Sequence, residues 1–283
     1  MAAPTLPKGN SASLPAFKPS GFKYTQAPNP EWTFGEPPTT TEIGRQWAEQ
    51  EKLGWKTFLP AETDPQKMLA FFISAIVPRP IAFISSIAAN GDENLAPFSW
   101  FSQVSTTPAV ISVSFAAWPR RKDTGVNIRE TKGFTINMIS ESWANNANCC
   151  ATDAPPDVNE WILSGLTKEP STHVKPARVK EAALSMECEF LQHIEIKHPD
   201  GTIAADHILA TVKCIHIRKA VMSEKGNVDP EKLLGVGRLG DISYAKIGDG
   251  FRTARPRWNE IAAEVKEKLG VESKLNLPRS SYI

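Results

Sequence analysis

Through the middle of the chain, apolar and polar side chains trade places at every second position. ISVSF (111–115), MECEF (186–190) and TVKCIHI (211–217) all alternate in this way, which is the period of a strand with one covered face. FFISAIVPRPIAFISSIA (71–88) is apolar almost throughout and rich in β-branched and aromatic residues; it reads as strand that stops at the turn signal Asn90-Gly91-Asp92. AVISVSFAAW, GFTINMIS and ALSMECEFLQHIEIKH follow, then the turn HPDG and TIAADHILATVKCIHIRKAVM. Strands joined by hairpin turns, with few helices between them, suggest a closed antiparallel sheet, because closure removes exposed edges. Helical punctuation is expected near Gly125–Thr131 and Ser142–Thr152.

The flanks have a different pattern. TTTEIGRQWAEQEKLGW, from Thr39, offers a threonine cap, charged helix formers and a glycine stop, and so predicts a helix. RPRWNEIAAEVKEKLGVESK predicts another, stopped at Gly270. Residues 1 to about 40 are rich in Pro, Ser, Thr and Gly and read as an arm, with Phe22, Trp32 and Phe34 as points of attachment to the folded body or a second subunit. The expected organisation is an arm and helix over 1–54, the β domain over 55–256, and a C-terminal helix and tail over 257–283.

Composition adds mainly exclusions. Of 283 residues, 32 are Lys or Arg and 31 Asp or Glu, for a formal net charge of +1. That balance gives no general attraction to nucleic acid or an anionic membrane, so any basic site is local. No uninterrupted apolar run reaches the ~18 residues of a membrane span, and the N-terminus lacks the apolar core of a secretory signal; a cytoplasmic protein is expected. The four cysteines read as free thiols in a reducing compartment, with a redox pair at Cys149-Cys150 as the alternative.

Two stretches carry candidate chemistry. In WPRRKDTGVNIRET (118–131), Arg120, Arg121, Lys122 and Arg129 surround Asp123, Thr124, Gly125 and Asn127. A strand end running into a helix start presents N–H groups and a favourable dipole to an anion, and Lys with Thr or Asn suits a phosphomonoester. The other reading is a solvated basic turn with Asp123 or Thr124 as a helix cap. NGDENLAPFSWFSQVSTTPAVISVSF (90–115) mixes hydroxyl residues with Pro97, Phe98, Trp100 and Phe101. It has the makings of apolar walls and a polar rim for a planar ligand, or equally of a β-rich core with a polar edge. His193, His198, Asp200 and His207 fit no compact metal spacing, and no metal is expected.

PRPIAFISS, NGDENLAPFSWFSQVSTTP, KDTGVNIRET and GFTINM occur in this order at close spacing, with GVGRLGDISYAKI (235–247) after them. This succession resembles the flavin-reductase-like, FMN-binding split-barrel family, in the branch related to nitrilotriacetate monooxygenase component B and flavoredoxin. The resemblance covers about residues 55–256. It implies a mainly β fold, a six-stranded Greek-key split barrel with peripheral helices, usually a homodimer. It also implies flavin mononucleotide (FMN) as cofactor, NAD(P)H as reductant, and, for a reductase of this branch, a partner monooxygenase that takes the reduced flavin. Carried over by motif, Asn94, Ala96, Pro97, Phe98 and Ser99 line the isoalloxazine ring, with main-chain groups at its polar edge. Ser112 and Ser114 neighbour the ring or ribityl chain, and Lys122, Asp123, Thr124 and Asn127 meet the ribityl phosphate. Arg79 is a phosphate candidate or a strand-end arginine paired with a carboxylate. His207 lines the site or stands outside it. Arg238 and Tyr244 cover the cofactor or simply pack.

Under this resemblance the reaction is an FMN-dependent oxidoreduction, with NAD(P)H-dependent flavin reduction first. The alternatives are a prosthetic FMN acting directly on an organic substrate and an electron carrier without turnover. Hydride transfer needs no obligatory acid or base, so no single catalytic residue is expected. The string GVGRLG (235–240) spells G-x-G-x-x-G but does not follow an expected strand; the resemblance implies that the nicotinamide lies directly on the flavin.

Overall fold

A computed structural model describes residues 14–152, 154 and 158–270. These form two compact units, one made of Gln66–Gly248 with the stretch ending at Phe22, the other of Lys23–Pro65 with the stretch from Asp249.

The first unit contains one large antiparallel sheet of seven strands: β1 (Ala82–Ile87), β2 (Glu93–Phe98), β3 (Phe101–Thr106), β4 (Ala109–Ala116), β5 (Gly133–Asn137), β6 (Leu184–Lys197) and β7 (Ile203–Ile217). Their order is β2-β1-β5-β6-β7-β4-β3. The two edge strands, β2 and β3, are consecutive in the chain, separated only by Ser99 and Trp100. Three peptide steps span at most about 11 Å, whereas the outer strands of seven laid flat lie about 29 Å apart. The sheet must therefore roll up until its edges meet at Ser99-Trp100. The two edges share no ladder pairing among the described residues, so the barrel is split there. Seven strands stand where six were expected, because the apolar segment after Gly91 bends at Ser99-Trp100 and supplies both edges.

The turn signals are realised. Gly91 takes φ +94° and Ala88 N–H donates to Asp92 O at 2.8 Å. In HPDG, Gly201 takes φ +84° and His198 N–H donates to Thr202 O. FFISA, expected as strand, is instead the end of a helix, Pro65–Ala75. A short apolar run carries no decisive period; Pro65 opens this one and Pro78 and Pro80 prevent its continuing as helix.

The run IAFI is apolar on both faces because β1 is covered on both. Ala82 and Ile84 join Ile111, Val113, Phe115, Phe134, Ile136 and Ile208 inside the barrel, closed by Ile128 of α1 (Asp123–Thr131). Ile81 and Phe83 pack outward with Leu95, Trp143 and Trp161, beneath α2 (Ala144–Cys149) and α3 (Glu160–Ser164). Gly125 brings α1 close to β4: a Cβ there meets the Phe115 ring at 3.4 Å. Asn137, fully buried, is satisfied by Phe83 O, Thr135 Oγ1, Val179 N–H and Ser185 Oγ, as a polar group in a core must be.

In the second unit, Thr41 caps the helix Glu42–Glu49 and Gly270, at φ +61°, ends the helix Trp258–Leu269, both as the sequence signals predict. Tyr24–Thr25 pairs with Gly250–Phe251. No helix among the described residues is long and apolar enough to cross a membrane.

Candidate functional site

A cavity of about 300 Å³ opens beside the split, at the lower end of the range for small-molecule sites. Asn94, Ala96, Pro97 and Phe98 of β2 line it together with Ser99 and Trp100; Ser114 and Ala116 come from β4, Arg120, Lys122, Asp123 and Thr124 from the turn into α1, and Glu160 from α3. Cys150, Ala151, Thr152 and Ala154 complete the wall.

Its lining is mixed. Phe98, edge-on to Phe115 with ring centroids 4.6 Å apart, and Trp100 give apolar surface. Lys122, the N-cap of α1, makes no side-chain capping bond. Asp123 is held by both Nη atoms of Arg120, at 2.6 and 3.0 Å, and Thr124 Oγ1 accepts from Asn94 Nδ2 at 2.7 Å. Neither therefore caps the helix. Lys122 has no ion-pair partner among the described residues. An uncapped helix start, an unpaired ammonium and a hydroxyl in one wall form an anion-accepting corner.

The edge strand contributes its backbone. Leu95 N–H donates to Glu160 Oε2 at 3.4 Å, and Pro97 has no N–H, so this rim of β2 cannot template another strand. Burial, opposed by the N–H groups of Glu160 and Leu95 and helped by Asp123, raises the Glu160 carboxyl above the ordinary carboxylate range. Burial, then Cys149, pushes the Cys150 thiol up to about 12, which leaves it protonated and unreactive.

Other sequence candidates lie outside the cavity. Arg79 is buried and donates to the carbonyls of Ile73, Ile76 and Leu239 and to Ser99 Oγ, which braces Ser99 and leaves no donor fork for a phosphate or carboxylate. Ser112 lies between Leu209 and Ser102 on the neighbouring strands. Asn127 donates to Ser86 Oγ at 3.2 Å on the buried side of α1. His207 Nδ1 meets Ser114 Oγ at 2.7 Å and so steadies a lining residue from behind. Alternation sends Asp206 to the opposite face, where His193 Nε2 meets its carboxylate at 2.7 Å. Arg238 lies over the Tyr244 ring and Tyr244 donates to Asn148, away from the cavity. The residues the sequence did not single out are Glu160 and the wall residues Ala151, Thr152 and Ala154; Asn159 as cap and Gly165 as stop mark a helix there, but no local signal shows where it docks.

Two further clusters unite metal-ligating side chains, Glu187 with Cys214 and His216, and His193 with Glu195 and Asp206. Hydrogen bonds account for the first. Glu187, fully buried, accepts from the N–H groups of Thr172, His173 and Val174, the Thr172 hydroxyl and His216 Nε2. Burial alone raises its pKa, yet the donors of Thr172, His173 and His216 outweigh it and bring it down to about 2.

Fold and site together give a split antiparallel barrel whose cavity joins apolar surface to a cationic helix start. Residues 74–228 match the flavin reductase like domain, and the chain belongs to that family, which places it among the flavin-related oxidoreductases. An uncharacterized protein of Aquifex aeolicus is 36% identical over 191 residues, 67% of this chain and 94% of the relative. Nitrilotriacetate monooxygenase component B from Bacillus cereus is 31% identical at TM-score 0.68, over 71% of this chain and 99% of that one. A 2-nitrobenzoate 2-nitroreductase of Pseudomonas fluorescens, 24% identical, shares the fold at TM-score 0.63 over 71% and 96%.

Proposed function

We propose that the cavity holds FMN and that the protein is an NAD(P)H-dependent flavin reductase. One observation carries the reading: in a chain of this family, Lys122 has no ion-pair partner among the described residues and stands at an uncapped helix start inside the cavity. The residues present fit the cofactor. Lys122 and Thr124 hold the phosphate, with the first-turn N–H groups of α1; Phe98 and Trp100 flank the ring, and main-chain atoms of Ala96–Ser99 meet its polar edge. Bound FMN supplies two-electron hydride chemistry. The chain's part is to orient and to exclude water: His207 fixes the Ser114 hydroxyl, and Arg79 fixes Ser99. No side chain need act as acid or base, so loss of turnover follows loss of FMN.

Similarity to nitrilotriacetate monooxygenase component B supports the further reading that reduced flavin passes to a partner monooxygenase. A homodimer is supported by the outer half of β6, where Leu191, Ile194 and Ile196 are exposed and no strand pairs beyond Phe190 on the side away from β7, among the described residues. Mixing the FMN-loaded protein anaerobically with NADH or NADPH tests the proposal. Rapid bleaching of the visible flavin band is expected; no bleaching by either nucleotide contradicts the reductase reading.

A further inference from the structure

We infer that Glu160 makes retention of the cofactor's phosphate depend on pH, its carboxyl donating to the anion when neutral and repelling it when charged. The inference rests on the FMN reading above.

The placement comes first. Asn159 accepts from Trp161 N–H at 2.9 Å and so fixes the turn that sets Glu160 at the head of α3. From there its side chain lines the same cavity as Asn94, Lys122, Asp123 and Thr124. A carboxylate offers about four acceptor sites, yet Glu160 receives little: Leu95 N–H at the long distance of 3.4 Å and its own backbone N–H. A half-buried carboxyl with this much hydrogen-bonding capacity unused among the described residues, in the lining of the cavity that holds the anion-accepting corner, is poorly placed as a permanent charge.

The groups around it set the sign. Asp123 of α1 faces it with like charge, partly neutralised by Arg120, and Lys122 supplies the nearby cation of the same wall. Cys150, at the end of α2, is a neutral thiol. Lys168 lies over the Trp161 ring and is committed to Glu93. Burial and Asp123 both favour the protonated form, and a phosphate dianion in the corner favours it further. Glu160 therefore takes up a proton as the anion binds, and by linkage affinity falls as pH rises through its titration.

The test is FMN binding followed by flavin fluorescence from about pH 5 to about pH 9, a span that includes the phosphate's own second ionisation near 6. Glu160→Gln keeps shape and the Leu95 acceptor, and circular dichroism checks its fold. Expected is binding by the parent protein that weakens toward high pH and a flatter profile for the variant, tighter by on the order of tenfold at the alkaline end. Riboflavin, which lacks the phosphate, should show no such difference between the two proteins. Calorimetry in buffers of differing ionisation enthalpy should show proton uptake that shrinks in the variant. Identical FMN profiles for parent and variant, or an equal difference with riboflavin, overturns the role of Glu160. Failure of FMN to bind either protein at any pH overturns instead the FMN reading beneath it.

Discussion

Glu187 and Glu160 are the same residue withdrawn from water in the same unit, and their surroundings drive them in opposite directions. Glu187 gathers N–H groups from three successive residues, a hydroxyl and an imidazole, and its pKa falls to about 2. Glu160 receives almost nothing and its pKa rises. Burial opposes the charge in both; the number of donors decides which form survives. A saturated carboxylate is a staple, here tying the loop at Thr172–Val174 to the barrel wall through β6. An unsaturated one has capacity left over, and in this molecule it lies in the cavity. The same contrast separates the arginine and lysine expected at the phosphate: Arg79 is consumed by three carbonyls and a hydroxyl, while Lys122 has no ion-pair partner among the described residues.

The largest expected effect comes from removing the staple. Glu187→Ala leaves three N–H groups and His216 without their acceptor and should cost about 3–5 kcal/mol in urea unfolding, with Glu187→Gln costing less. Acid gives the same answer without mutation. Because the folded pKa is depressed, the contribution of Glu187 is present above the ordinary value of 4.5 and is lost as pH falls through about 2; the interval corresponds to about 3 kcal/mol. Stability measured against pH should decline across that window in the parent and more gently in Glu187→Gln.

Next in size is the cavity's anion corner. Changing Lys122 to Ala together with Thr124 to Val removes a charge-assisted contact and a hydrogen bond, and should weaken FMN binding by about 10- to 100-fold. Stability should fall by about 1–2 kcal/mol, because Asn94 Nδ2 loses its Thr124 acceptor, while Lys122 has no ion-pair partner to lose among the described residues. Equal FMN content in parent and variant counts against this corner. The smallest effect is expected from His207→Ala, which frees the Ser114 hydroxyl without touching the cavity; FMN affinity should fall by roughly fivefold or less, read by fluorescence titration.

What the sequence disclosed follows the reach of each signal. Hairpin turns, helix caps and alternating strands are local events, and Asn90-Gly91-Asp92, HPDG, Thr41 and Gly270 all act where they stand. FFISA failed because so short a run, four apolar residues and one serine, fits either period, and the proline that opens the helix lies upstream of the run. The basic turn and the β2 segment were legible as candidate site material, since a helix start with a cation and an edge strand with small residues announce their chemistry. Whether Arg79 faces a ligand or a carbonyl was not, because the carbonyls it holds come from Ile73, Ile76 and Leu239, the last 160 residues away. Asp206-His207 looks like one pair in sequence, yet strand alternation turns its members to opposite faces. Glu160 reaches the cavity only once the sheet has rolled and α3 has packed over Leu95, a consequence of closure and of no local pattern.

The cavity's occupant decides the redox assignment. Titrating the purified, cofactor-stripped protein with FMN while following flavin fluorescence and the visible spectrum tests it directly. Saturable binding at one FMN per chain, with a perturbed flavin spectrum and with affinity reduced in the Lys122 and Thr124 double variant, is the expected result. A folded protein that leaves added FMN free at every concentration contradicts the cavity assignment and the redox function built on it.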